Sequence, residues 1–95
     1  MMRWLEFIKV RTTGTSEQPL YSKLLDMVSV HLEAPGLLKA NVYTNATVPG
    51  DICITMIWDT DQSKPRGSEL GMGLAQELRR SGLVDHSIWI EWSSK

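Results

Sequence analysis

The sequence predicts an α+β domain in which a four-stranded antiparallel sheet carries two helices on one of its faces. Three observations support this fold class. Two segments have apolar residues at helical spacing, four have the composition of strands, and together they follow the order βαββαβ. A chain of 95 residues, 42% apolar and 22% charged, corresponds to one folded domain spanning residues 1–95.

The first half of the chain supplies a strand, a helix and a second strand. Residues 3–12 form the first predicted strand, although both of its faces carry apolar side chains. Residues 17–33 have a broad apolar stripe with a period near 3.6, and Pro35-Gly36 ends this predicted helix. Residues 37–47 form the second predicted strand.

The second half supplies a strand, a helix and the last strand. Residues 52–59 are the most apolar stretch, and residues 68–81 form a helix with Ser68 as its N-cap. Gly82 is interpreted as a left-handed helix terminator, followed by the last strand over 84–92. Right-handed crossovers place both helices on one side of the sheet, which is the ferredoxin-like arrangement.

The last strand has large apolar side chains on both faces. Trp89 and Trp92 are three residues apart, so alternation puts them on opposite sides of the sheet. A sheet with helices on one face normally leaves the other polar, and a large exposed apolar surface marks an interface. We therefore expect a homodimer through the open sheet face, with Trp89 towards the helices and Ile88, Ile90 and Trp92 towards the partner.

Composition excludes several classes of function. A net charge of −1 argues against nucleic-acid binding, which needs an excess of Lys and Arg. The single cysteine, Cys53, cannot form an internal disulfide, and we interpret it as an inert packed thiol. No signal peptide is recognised at the N-terminus, and no apolar run approaches the roughly 20 residues of a membrane span. These features predict a cytoplasmic protein without membrane contact.

The run from Trp58 onwards carries a resemblance. It reads W-D-T and, after a polar loop, G-S-E-L-G-x-G-L-A-x-x-L-x-x-S-G-L-V-D-H-S-I-W-I-E-W. With Pro35-Gly36 before the second strand, this layout resembles the dimeric α+β barrel superfamily, and within it the antibiotic biosynthesis monooxygenase-like domains. The resemblance covers nearly the whole chain, from Arg3 to Trp92. It implies two sheets packed face to face in a dimeric α+β barrel, with a pocket between each sheet and its own helices.

The resemblance also implies which residues line that pocket. The candidates are His31, Tyr43, Met56, Trp58, Met72 and Trp89. Trp58 stands where the family's cofactor-free oxygenases have a tryptophan that orients an aromatic substrate. Its alternative role is a core tryptophan at the sheet's end with its N–H bonded to a carbonyl. Where those enzymes have an asparagine, this chain has Ile54 and Thr55. The first strand lacks the asparagine, and the second helix the histidine, of haem-degrading relatives.

Few other residues suggest chemistry. His31, on the apolar stripe of the first helix, is interpreted as a core or rim residue, with a general base as its alternative. His86 follows Asp85 at a strand end, and we predict that both are surface residues. Two unrelated histidines do not predict a metal site. Gly71 and Gly73 each cost about 1 kcal/mol in a helix relative to Ala, which indicates either close helix–sheet contact or room for a ligand.

The function implied by the resemblance is a monooxygenase that uses no bound cofactor or metal. Its substrate would be aromatic or quinol-like, and the substrate's own anion would react with oxygen. A non-catalytic binding or regulatory module for a small hydrophobic ligand is the alternative. A purely structural dimerisation domain is a third hypothesis.

Overall fold

A computed structural model describes residues 2–12, 17–30 and 33–92 of the chain. Its elements are β1 (Met2–Arg11), α1 (Glu17–Val30), β2 (Leu37–Thr44), β3 (Asp51–Thr60), α2 (Glu69–Leu78) and β4 (Leu83–Ile90). The strands form one antiparallel sheet in the order β2-β3-β1-β4. This is the ferredoxin-like α+β fold that the sequence predicts. Within the described chain, no helix is both long and apolar enough to cross a membrane.

One face of the sheet, called the inner face here, is covered by both helices. Its centre consists of four cross-strand pairs between β1 and β3: Trp4 with Trp58, Glu6 with Met56, Ile8 with Ile54, and Val10 with Ile52. All eight residues are at most 5% exposed. Leu24 and Val28 of α1 and Leu74 and Leu78 of α2 belong to the same buried cluster. The core therefore lies between the inner face and the two helices.

The opposite face, called the outer face, is also rich in apolar side chains. Leu5 and Phe7 of β1 alternate with the buried residues of that strand and point away from the helices. Leu5 pairs with Ile57 of β3 on one side and with Trp89 of β4 on the other. None of the elements that the structure describes covers this face.

The register of β4 corrects the orientation expected for its side chains. Trp89 pairs with Leu5, lies on the outer face and is 61% exposed. Ile88 and Ile90 lie on the inner face, where Ile88 packs against the core. Trp92 lies beyond the end of the strand and is 90% exposed. Side chains alternate as predicted within the strand, but the strand ends at Ile90, so Trp92 does not lie on the face opposite Trp89. The phase was wrong, because alternation alone does not say which face the helices cover.

Local hydrogen bonding explains where β2 ends. The strand stops at Thr44, three residues before its predicted end. Asn45 then folds the chain into a turn, because its Oδ1 accepts from the backbone N–H groups of Thr47 (2.9 Å) and Val48 (3.0 Å). Glu33, predicted as the last residue of the first helix, lies in a turn.

The prediction for the start of α2 is confirmed, and the prediction for its end is wrong. Ser68 is the N-cap, as predicted, and its Oγ accepts from the N–H of Gly71 at 2.9 Å. Gly82 is not a left-handed terminator, since its φ is not positive, and Leu83 is 79% exposed. A glycine is needed at 82 for another reason: a Cβ there would overlap the backbone carbonyl of Arg11.

Candidate functional site

A cleft of about 820 Å³ opens between the helices and the inner face. It lies where β1 begins and β3 ends, and its other walls come from α1, α2 and the loop between β3 and α2. Its main apolar lining residues are Trp4, Met27, Val30, Trp58, Leu70 and Leu74. Sites for small organic molecules usually measure roughly 300–1,000 Å³ and combine apolar walls with a few polar groups. The size and lining of the cleft match that description.

Two tryptophans form an aromatic wall of the cleft. Trp4 and Trp58 are cross-strand neighbours, and their rings stack with centroids 5.6 Å apart and an angle of 16° between planes. Nε1 of Trp4 donates to Oγ1 of Thr60 at 2.9 Å, and Nε1 of Trp58 donates to Oε1 of Glu6 at 3.1 Å. Because both indole N–H groups are bonded within the protein, the pair offers no donor to the cleft, and with Trp4 1% and Trp58 5% exposed it contributes only a small ring surface.

Behind this wall, the carboxylate of Glu6 is fully buried and makes four hydrogen bonds. Its Oε1 accepts from Trp58 Nε1 at 3.1 Å and from Ser68 Oγ at 2.6 Å. Its Oε2 accepts from the Ser68 backbone N–H at 3.0 Å and lies 2.6 Å from Nε2 of His86. An ionised carboxylate has about four acceptor positions, so this arrangement fits an anion with a proton on His86 Nε2. Such partners offset the large cost of burying a charge.

His86 is therefore not the surface residue that the sequence predicted. It lies on the inner face of β4, and its side chain is only 11% exposed. The interpretation was wrong because the neighbouring Asp85 is exposed, and alternation sends adjacent side chains to opposite faces. Glu6 was not singled out as a site residue either. Its signal in the sequence is an acidic residue in register with Trp4 and Ile8 on one face of a strand, a position that requires buried partners.

Glycine occupies the positions near α2 for two different structural reasons. A Cβ at Gly71 would overlap the carboxylate of Glu6, and one at Gly67, where φ is +101°, would lie 2.5 Å from both Glu6 Oε2 and His86 Cε1. Gly73 lines the cleft, and nothing lies within 4 Å of a Cβ built there. Gly71 thus permits close helix–sheet contact, and Gly73 leaves space in the cleft. The sequence left two explanations open for these glycines, close helix–sheet contact and room for a ligand; the first applies to Gly71 and the second to Gly73.

Three of the predicted pocket residues lie on or near the inner side. Trp58 lines the cleft, and its N–H is bonded, although the acceptor is the carboxylate of Glu6 and not the carbonyl expected for a core role. Met56 is fully buried in the core beneath the helices. Met72 is on α2 but is exposed and does not line the cleft.

Two further candidates lie on the outer face, away from the cleft. Tyr43 lies on the outer face, beside a shallow depression of about 200 Å³ that Phe7 and Cys53 also line. Trp89 is on the outer face as well, next to Leu5. His31 lies outside the described residues. In the part of the chain that the structure describes, no three His, Cys, Asp or Glu residues converge on a point where they would hold a metal ion.

A separate ion pair stabilises the far end of the sheet. Arg11 donates from Nε to Asp51 Oδ1 at 2.9 Å and from a terminal nitrogen to Oδ2 at 3.0 Å. Lys9 Nζ lies 3.7 Å from the same carboxylate. The hydrogen bond from Arg11 holds the pKa of Asp51 below its usual value. This pair joins β1 to the start of β3 and is remote from the cleft.

The sequence matches no known protein-family model. Comparisons with curated proteins and with solved structures also give no significant match. The fold is therefore established by the structure itself, and the resemblance to monooxygenase-like domains rests on the sequence features described above.

Proposed function

We propose that the cleft binds a small, largely apolar aromatic ligand. The observation that supports this most strongly is the stacked pair Trp4–Trp58 in the wall of a cleft of about 820 Å³. Aromatic side chains favour contact with other ring systems, and the flexible side chain of Met27 lines the same cleft together with Val30 and Leu70.

Calorimetric titration with a flat aromatic probe such as 2-naphthol tests this proposal. Gly73→Leu should fill the cleft without disturbing the fold, because the space beside Gly73 is empty. We expect it to weaken binding at least tenfold while the midpoint of urea unfolding does not fall. Met72→Leu, one position away and outside the cleft, is the matched control and should bind as the unmodified chain does. Unchanged binding by Gly73→Leu would mean that the cleft is not the site.

A cofactor-independent monooxygenase acting on an aromatic or quinol-like substrate is the second candidate. It is supported by the buried Glu6–His86 pair, which reaches the cleft wall through Ser68. A substrate hydroxyl can pass its proton to Ser68 Oγ while the proton of Ser68 moves to Glu6. The substrate anion left behind is then the species that reacts with oxygen, and no bound cofactor is required.

Oxygen uptake separates the catalytic candidate from the non-catalytic one. Quinols and anthrones are incubated with the unmodified chain, with Glu6→Gln and with Trp58→Phe, and uptake without protein is subtracted. A catalytic cleft predicts uptake that falls at least tenfold in Glu6→Gln, since the amide is a far weaker base. Binding without uptake on every substrate would leave the binding or regulatory module as the function.

We also propose that the outer face packs against the same face of a second copy. Leu5, Phe7, Ile57 and Trp89 form a contiguous apolar surface there. A strand of 10 residues is about 33 Å long, and four strands span about 19 Å, so two such faces bury roughly 1,200 Å² together. That area is at the lower end of stable interfaces.

Light scattering at micromolar concentration tests the homodimer. The proposal predicts a mass of about twice the chain's 10.7 kDa, and a mass near 10.7 kDa would overturn it. Phe7→Glu places a charge at the centre of the outer face and should give monomers. Leu25→Glu adds the same charge on the exposed surface of α1 and should leave the dimer intact.

The single thiol of Cys53 is the observation from which we infer a reducing compartment. It is the chain's single cysteine, it lies on the outer face, and burial raises the pKa of its thiol. We therefore propose a cytoplasmic location, where such a thiol remains reduced and unreactive.

A further inference from the structure

The hydroxyl of Ser68 can act towards the cleft only as a hydrogen-bond acceptor. Its Oγ donates to Glu6 Oε1 at 2.6 Å and accepts from the N–H of Gly71 at 2.9 Å. This holds wherever the proton shared by Glu6 and His86 resides, because their contact uses the other carboxylate oxygen. A hydroxyl has one proton and two acceptor lone pairs, so one lone pair remains. Ser68 lines the cleft and can offer it only an acceptor.

Thr60, on the neighbouring wall, is likewise limited to accepting a hydrogen bond. Its Oγ1 accepts from Trp4 Nε1 at 2.9 Å and donates to the backbone carbonyl of Gln62 at 2.6 Å. One lone pair is again left over, and Thr60 also lines the cleft. The two hydroxyls beside the aromatic wall are thus both acceptors.

The other polar side chains of the cleft strengthen this bias. Glu69 and Glu77 line it and carry carboxylates, which only accept when ionised, and Glu77 is paired with Lys23 at 2.7 Å. Among the lining residues that the structure describes, Lys64 is the one side-chain donor with an uncommitted proton, and it is exposed. With Lys64 excepted, the side chains that line the cleft therefore present hydrogen-bond acceptors only.

We infer that Ser68 and Thr60 determine specificity, and that the cleft selects aromatic compounds with an O–H or N–H donor over their ethers. This inference rests on the proposed function and defines the ligand class of that site. An O–H or N–H donor on the ligand forms a hydrogen bond to the free lone pair of either hydroxyl oxygen. An ether oxygen at the same place meets a lone pair with no proton between them and loses its hydrogen bonds to water.

A matched pair of ligands gives the direct test: 2-naphthol and 2-methoxynaphthalene, titrated calorimetrically into the unmodified chain. Burial of the extra methyl group alone would favour the ether about fourfold. We expect the opposite order, with 2-naphthol bound at least tenfold more tightly. Equal binding, or tighter binding of the ether, overturns the inference and leaves the proposed ligand site standing. Failure of both compounds to bind overturns the inference and the proposed function together.

Variants test the two named residues. Thr60→Val and Ser68→Ala each remove one acceptor and should reduce the preference for 2-naphthol at least threefold. Thr55→Val makes the same change on the outer face of the same strand and should leave the preference unchanged. If Ser68→Ala does not fold, Thr60→Val and the ligand pair still decide the question. A preference that both variants retain in full overturns the assignment to Ser68 and Thr60.

Discussion

The two faces of the sheet are built from the same strands, but only the inner face buries a charged side chain together with its hydrogen-bond partners. On β1, Trp4, Glu6 and Ile8 point to the inner face, whereas Leu5 and Phe7 point to the outer face. Both faces are apolar, so hydrophobicity does not distinguish them. The difference is Glu6, whose buried charge requires donors from β3, β4 and the start of α2. A buried, fully bonded polar group therefore marks the inner face, which holds the cleft, and exposed apolar side chains mark the outer face, for which a second copy is proposed.

The largest effect that we expect comes from Glu6→Ala on the inner face. Removal of the carboxylate leaves the N–H of Trp58, both donors of Ser68 and the ring of His86 without their acceptor. We expect the free energy of unfolding to fall by about 3–5 kcal/mol, measured by urea denaturation. Glu6→Gln retains one carbonyl oxygen and should cost less. A loss below about 1 kcal/mol for Glu6→Ala would show that the network does not stabilise the fold.

Two isoleucines on β3 compare the faces directly. Ile54 is fully buried on the inner face, and Ile57 is on the outer face. Ile54→Ala should cost about 2–5 kcal/mol at any protein concentration. Ile57→Ala should cost less in dilute solution and more as concentration rises, because a dimer couples outer-face packing to stability. Equal costs that do not vary with concentration would contradict an outer face covered by a second copy.

The two glycines of α2 should respond with opposite signs. Gly73→Ala should raise the free energy of unfolding by up to about 1 kcal/mol, because alanine favours the helix and the added methyl group meets no atom. Gly71→Ala should lower it, because the methyl group overlaps the carboxylate of Glu6. Thermal unfolding of the two variants side by side measures both signs. Stabilisation by Gly71→Ala would mean that Glu6 does not occupy the described position.

The smallest effect should come from Asp51→Asn at the start of β3, at the end of the sheet remote from the cleft. Arg11 lowers the pKa of Asp51, so the pair contributes stability above the ordinary aspartate pKa of about 3.9. That contribution is lost as the pH falls through the lowered pKa of the folded state. The variant should be less stable at pH 7, and the difference should close under more acidic conditions. Asp85→Asn, at an exposed aspartate on the same face, controls for the loss of one negative charge.

Local patterns in the sequence predicted the order of elements, the N-cap Ser68 and a sheet with two apolar faces. They also placed Trp58 in the cleft wall, through a family resemblance. They did not predict the phase of β4, because Trp89 and Ile88 are equally apolar and only the pairing with β1 decides which one is covered. Glu6 and His86 are 80 positions apart and meet only through that same pairing. The contacts that define the site are thus non-local, whereas the signals read from the sequence are local.

The four tryptophans allow one measurement of where a ligand binds, since two are on the cleft side and two are outside it. In a ¹H–¹⁵N spectrum, the indole N–H signals of Trp4, Trp58, Trp89 and Trp92 are assigned by single Trp→Phe variants. Addition of 2-naphthol should shift the signals of Trp4 and Trp58 and leave those of Trp89 and Trp92 in place. A shift confined to Trp89 would contradict a ligand site beneath the helices and would place binding on the outer face.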